Sequence, residues 1–455
     1  MRPDGNEKLL GELMDGSPGF VIHETNTWSG RVITSMKSLI DQWSDVKHGL
    51  LHRYLGGELR EHGAALPRTG CRPPGDATLT GRARQFAQLR ELSLEDYPHV
   101  SALESQYGLG LKTYDQWSHI WVNNPAYQEL RKNWPIGWVL ENENKQIVGA
   151  HENIPLLYEF KKKRIIAAAG RGLVVDSRYR GYALWLLMTL FEQKNAEMCF
   201  DTTANYETAQ DDKAVGALPV PVGAWDRNVF WITNYHGSLS IWLKRQMPKG
   251  IWRLVEPLSY ALTPALFLKD MLARTALRRL SSGLAVECCT AFDDRFDNFW
   301  EDLRKENADL LLAVRSREVL QWHFAYALLQ KRLWIWTINQ GSRMAAYAIF
   351  LKTDNAKSGI TRVSLVDFQA LGGNAALLLP MLSAALEKCR REGVHVLENV
   401  GFSFEKSGIN NLAPYRRSEC YWTHFYKARD RDLAEILSKP GAWAPSLYDG
   451  DASIS

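Results

Sequence analysis

Apolar and polar positions follow one order of strand-like and helix-like stretches, and that order occurs twice along the chain. From Gln85, FAQLREL alternates as a strand does, Ser93 and Asp96 stand where a helix cap belongs, and Tyr97 to Tyr107 repeats apolar residues at helical spacing. The aromatic segment WSHIWVNNPAY follows, then GWVLEN and QIVGAHENIPLLYEF, two strand-like runs joined through Glu143, Asn144 and Lys145 as a hairpin turn. Past the charged break KKKR at 161 to 164, read as a solvated hairpin end, IIAAAGRGLVVD has the character of a buried strand. A basic turn with one glycine leads into a helix, GYALWLLMTLFEQKNAE, and then a strand, MCFDTTAN.

The second half repeats the order. RSREVLQWHFAYAL resembles YDQWSHIWVNNPAY, RLWIWTINQ and MAAYAIFLK form a hairpin across Gly341 and Ser342, and ITRVSLVDFQAL, LLLPMLSAALEKCRREG and VHVLENVGF read as strand, helix and strand. The expected organisation is an extension over 1–83 with no assigned function, an α/β domain over 84–235, a connection over 236–284, a second α/β domain over 285–430 and a tail over 431–455. The connection is apolar on one side and basic toward its end, with Pro257 and Pro264 interrupting any helix. It reads as a linker packed on the two domains, with a peripheral membrane or partner contact as the alternative.

Composition narrows the class. The 455 residues suit two domains, and 45% apolar with 23% charged residues are the proportions of a soluble globular protein. A formal charge of only +4 does not indicate a general nucleic-acid binder. Cys71, Cys199, Cys288, Cys289, Cys389 and Cys420 form no CxxC pair and no His/Cys cluster at zinc spacing, so free thiols and no metal are expected. The N-terminus lacks the basic-then-apolar order of a secretory signal, and the expectation is a cytoplasmic chain.

The chemistry concentrates at VVDSRYRGYA, where a strand gives way to a helix. Such a junction leaves several backbone N–H groups unpaired and aims them outward, and the helix dipole adds partial positive charge, so a pyrophosphate fits there. Gly181 lets the backbone approach the phosphates, Ala183 keeps the first turn narrow, and Arg178 and Arg180 add cationic charge. Arg178, Gly181 and Ala183 match the R/Q-x-x-G-x-G/A turn of the GNAT (Gcn-related N-acetyltransferase) superfamily, and the preceding Leu-Val-Val resembles its fourth strand. The resemblance implies an α/β fold of two tandem GNAT-like domains, each a mixed, mostly antiparallel sheet flanked by helices.

It further implies that Val174, Val175, Arg178, Tyr179, Arg180, Gly181, Tyr182 and Ala183 hold acetyl-CoA or another acyl-CoA. The following strand would splay away to admit the pantetheine arm, and Asn205 would contact the cofactor or cap the next helix. Two positions depart from the family. Asp212 stands where many members carry a Tyr as general acid, and an Asp serves at neutral pH only if its pKa is raised. Arg171 and Gly172 occupy positions that often hold a carboxylate base. His151 and Glu152 are the substitutes for deprotonating an amine, His151 being alternatively a satisfied sheet residue. Trp117, Trp121 and Asn124 lie where the family places its acceptor wall, with burial in the core as the other reading for the indoles. In the second copy DFQALGGNA keeps a Gly pair without an Arg, which suggests a degenerate site.

Transfer of an acyl group, acetyl first, to an amine of a small molecule or sugar is therefore the expectation, with no nucleic acid as partner. A non-catalytic tandem scaffold and a tRNA-dependent aminoacyl transferase are the alternatives.

Overall fold

The computed structural model describes residues 86–454 apart from 111, 131–132, 205, 223–226, 281–282, 356–358, 401–411 and 419–422. The extension expected over 1–83 and the cofactor contact expected at Asn205 lie outside the described residues.

The first half runs β1 (Ala87–Glu91), α1 (Tyr97–Gln106), α2 (Tyr114–Val122), α3 (Pro125–Leu130), β2 (Gly137–Asn142), β3 (Ile147–Phe160), β4 (Lys163–Val175), α4 (Ala183–Glu192), β5 (Met198–Ala204), α5 (Tyr206–Ala214), β6 (Leu218–Pro219) and β7 (Arg227–Ile232). Then come α6 (Tyr235–Gln246) and α7 (Val255–Leu280). The second half runs β8 (Glu287–Cys289), α8 (Asp294–Glu306), β9 (Leu312–Ala313), α9 (Arg317–His323), α10 (Ala325–Leu329), β10 (Leu333–Gln340), β11 (Arg343–Asn355), β12 (Ile360–Ala370), α11 (Leu378–Arg391), β13 (Val396–Val400), β14 (Tyr415–Ser418), β15 (Thr423–Ala428) and α12 (Arg431–Leu437).

Local chemistry sets several of these boundaries. Ser93 and Asp96 cap the entry to α1 as expected: Asp96 Oδ2 accepts the Ser93 N–H at 2.9 Å and the Ser93 hydroxyl at 3.1 Å, while the Asp96 N–H donates to Ser93 O at 3.1 Å. Lys161 and Lys162 turn the β3–β4 hairpin with φ of 50° and 63°, the left-handed pair that matches strand twist in a two-residue turn. Lysine has no special ease there; Lys161 N–H donating to Ala308 O at 2.7 Å helps to hold it. The proline expectation fails: α7 runs unbroken through Pro264. Pro257 falls in the first turn, where its missing N–H has no helical partner to lose. The cost of Pro264 is offset by a face of Val255, Ser259, Leu266 and Asp270 buried against the protein.

Two mixed sheets result, ordered β1-β2-β3-β4-β5-β15-β6, with β9 beside β3, and β14-β7-β13-β12-β11-β10-β8. Each contains one parallel pair, β4 with β5 and β12 with β13. The halves exchange strands. β7, inside the range read as the first domain, pairs with β13 through Leu397 opposite Trp231, and β15 returns to pair with β5 through Tyr426 opposite Phe200. Reciprocal exchange lets one apolar cluster take in Trp117, Ile120 and Phe200 from the first half and Phe296, Tyr347 and Tyr426 from the second. His119 Nε2 lies 3.0 Å from Trp322 O, and Trp322 Nε1 donates to His119 O at 3.2 Å, joining α2 to α9, the two segments whose sequences resemble one another.

Candidate active site

Pairing of β4 with β5 covers only Ala167, Ala168 and Ala169 opposite Met198, Cys199 and Phe200. Beyond Ala169 the strands carry on unpaired with each other, β4 to Val175 and β5 to Ala204, so a split opens between them. On its other side β4 changes register against β3: Ala150 faces Val174, whereas Glu152 faces Arg171. The extra β4 residue is a bulge, and Gly172 takes it with φ of 64°. A side chain at Gly172 would be strained, and its Cβ would lie 2.7 Å from Glu104 Oε1.

Bulge and split frame a buried cluster of charges. Arg171 from β4 pairs with Glu152 from β3, and its Nη1 lies 3.4 Å from Glu104 of α1. Trp117 Nε1 donates to the other Glu152 oxygen, which fixes that carboxylate from both sides. Burial, with the Glu152 charge adding to it, pushes Glu104 up to about 7 against the pull of Arg171. Burial, reinforced by Arg171, pulls Lys112 down to about 8. The chain's last segment completes the cluster. Thr202 Oγ1 donates to Asp451 Oδ1 at 3.0 Å, and Asp451, half-buried, lies within the field of Arg171. Gly450 permits this approach, because a Cβ there would fall 2.0 Å from Thr202 Oγ1.

A second group of carboxyls lies where β5 meets α5. Asp212 of α5 is fully buried, and neither of its oxygens has a hydrogen-bond partner. Burial, Asp201 and Asp211 together push it up to about 8, while burial with Asp451 pushes Asp201 up to about 7. A buried, unpartnered carboxyl of this kind holds its proton at neutral pH.

At the turn the backbone bends into a short 3-10 segment, Ser177–Tyr182, before α4. A Cβ on Gly181 would meet nothing within 4 Å, so neither packing nor φ requires glycine there and the space in front of it is open. Arg178 is committed: its guanidinium makes two bonds of 3.0 Å to Asp176. Tyr179 is buried in the core, which leaves only its backbone for an outside ligand. Val174 and Val175 are strand residues paired with Ala150 and Gly149. Leu184, Trp185 and Met188 expose an apolar face of α4 beside the turn.

The remaining expected residues divide. Glu152 enters the cluster; His151 does not, since consecutive strand residues point to opposite faces. Its Nε2 would be 2.7 Å from a Cβ on Gly170, and burial pulls it down to about 4, so it is a neutral imidazole beneath α4. Trp117 and Trp121 are buried with ring centroids 4.9 Å apart, and Trp121 Nε1 donates to Asn153 O at 2.9 Å. Asn124 is buried too, donating to Pro155 O at 2.9 Å and accepting the N–H of Ala126. The structure thus gives Trp121 and Asn124 internal partners and makes Trp117 a support for Glu152.

Glu104, Lys112 and Asp451 were not singled out from the sequence. The one signal for Glu104 was a charge on the apolar stripe of α1, beside Val100 and Leu103. In the second sheet Asp367 is spent on a buried network, accepting from Arg315 Nε and Tyr347 Oη, each at 2.8 Å.

No protein-family model matches the chain, and no curated protein matches it. Solved structures similar to it include a GCN5-related N-acetyltransferase from Kribbella flavida, 11% identical, covering 76% of this chain and 71% of that one, with a TM-score of 0.45. A Saccharomyces cerevisiae N-myristoyltransferase with bound myristoyl-CoA is 12% identical, covering 82% and 89%, with a TM-score of 0.48. A probable N-acyltransferase from Enterococcus faecalis V583 is 9% identical, covering 76% and 72%, with a TM-score of 0.47.

Proposed function

We propose that this chain is an acyl-CoA-dependent N-acyltransferase of the GNAT type, acting on an amine of a small molecule or sugar, with acetyl as the first donor to test. The observation that carries the reading is the β4–β5 split that ends at a strand–helix turn with open space before Gly181. The N–H groups of Ser177, Arg178 and Tyr179 already donate to Tyr107 Oη, Asp176 Oδ1 and Asp176 O, so a pyrophosphate would rest on the turn nearer Gly181, and the split suits an extended arm. The donor supplies a thioester carbon; the chain supplies position and proton transfer.

When an amine attacks that carbon, its nitrogen loses a proton and the C–S bond breaks. Glu104, near 7 beside Glu152 and Arg171, is the group we assign to accept the proton. Asp212, protonated near neutrality, is the group we assign to donate one to the departing thiolate. The competing reading, a tandem scaffold without catalysis, is favoured by one observation: Asp176 holds Arg178, which reduces the cationic charge offered at the turn.

Calorimetric titration of the full chain with acetyl-CoA and with a long-chain acyl-CoA tests the proposal, wild type beside Gly181→Trp. Binding that the substitution abolishes supports it and ranks acyl length. Absence of binding to either donor overturns it.

A further inference from the structure

A solvent-facing side of a surface helix is normally polar, and that of α7 is not. At 100° per residue, Pro257, Ala261, Pro264 and Leu268 lie opposite the buried Val255, Ser259, Leu266 and Asp270, and all four are exposed. The buried side carries the polar Ser259 and Asp270, while the exposed side is apolar. Leu258, Tyr260 and Met271 widen the exposed strip, with Tyr260 64% and Leu268 61% exposed. The strip continues into the 3-10 turn Lys249–Leu254, where Ile251, Trp252 and Leu254 are also exposed.

The same stretch of sequence is rich in basic residues. From Lys244 to Arg279 the sequence has eight Lys and Arg against Glu256 and Asp270, a formal +6, whereas the whole chain carries +4. Lys249 and Arg253 are exposed within the same turn as Trp252. Among the described residues no helix is long and apolar enough to cross a membrane, which leaves the strip room to lie on a bilayer but not to span one.

We infer that the 3-10 turn and the N-terminal two thirds of α7 form a docking surface for an anionic lipid bilayer. Apolar side chains enter the headgroup boundary, Trp252 sits at the depth indoles favour, and Lys249 and Arg253 meet lipid phosphates. Cations alone would serve any acidic partner. An uncharged exposed strip flanked by cations is what a bilayer of anionic headgroups accommodates in full.

Flotation of the full chain with phosphatidylglycerol–phosphatidylcholine vesicles, beside pure phosphatidylcholine vesicles, tests this. Binding is expected to the mixed vesicles only. The pair Tyr260→Ser and Leu268→Ser, and separately Lys249→Glu with Arg253→Glu, should each lower vesicle partitioning at least tenfold with unchanged thermal melting. No flotation, equal flotation of the variants, or flotation that appears only after removal of residues 1–84 overturns the proposal. A dimer in mass photometry that the apolar pair dissolves, without flotation, reassigns the strip to a second copy of the chain.

Discussion

Glu306 accepts the backbone N–H of Gly372 at 2.7 Å, so the strand–helix turn of the second sheet already holds a carboxylate from its own chain. Further along the turn, Asn374 Oδ1 accepts the N–H of Ala376 at 3.2 Å. Space alone does not separate the two turns, since a Cβ would meet nothing within 4 Å at Gly181, Gly372 or Gly373; the Glu306 carboxylate on the Gly372 amide is what marks the second. Donor binding is therefore expected at one site per chain. Calorimetry should give a stoichiometry of one, lost in Gly181→Trp and unchanged in Glu306→Gln.

Asp212 links pH to stability and, on the proposed function, to rate. Its folded-state pKa is raised from 3.8 to about 8, so the unfolded chain binds fewer protons between those values and stability falls as pH rises through that window. Asp212→Asn should gain on wild type from pH 5 to pH 8, by on the order of 3 kcal/mol across the window, in paired thermal melts. The same variant should lower kcat at least tenfold and remove the decline in rate above about pH 8 that the wild-type group would impose. A kcat that keeps the wild-type profile would remove Asp212 from catalysis.

Arg171 is the cation that holds two buried carboxylates. Its replacement in Arg171→Met leaves Glu152 and Glu104 without compensation, an effect of about 3–5 kcal/mol for a broken buried pair. Loss of the Arg171 charge also raises Glu104 further, so the destabilisation should grow between pH 5 and pH 8. Denaturant midpoints at the two pH values measure it. Gly172→Ala should cost about 1–3 kcal/mol at both, through its φ of 64° and the crowding of Glu104.

Strand exchange predicts that the first half does not fold alone. A fragment covering residues 86–222 would leave the β5 edge without β15 and uncover the apolar groups that Phe425 and Tyr426 bury. Such a fragment should show no cooperative thermal transition, and co-expression with residues 223–455 should restore one.

Much of this was legible in residue order. Alternation and helical spacing placed β1 to β5 and β10 to β13, Ser93 and Asp96 marked the start of α1, and VVDSRYRGYA marked the turn, because each is a local matter of pattern and capping. Pro264 misled: the local penalty of a proline was outweighed by tertiary burial of the opposite face of α7, which no window of sequence displays. The aromatic segment left two readings open, since indole spacing is the same for an acceptor wall and for a core, and the structure buries both Trp117 and Trp121.

The sequence by itself determined the two-fold order of elements, the glycine turn and the placing of an Asp at position 212, all of which depend on neighbours within a few residues. Only the tertiary structure decided what those groups became. It separated His151 from Glu152 across the sheet, brought Glu104 and Asp451 to Arg171 from distant parts of the chain, and buried Asp212 without a partner. The reason is physical: a side chain's charge state depends on which charges and how much water surround it, and that surrounding is fixed by strand exchange and packing between residues hundreds of positions apart.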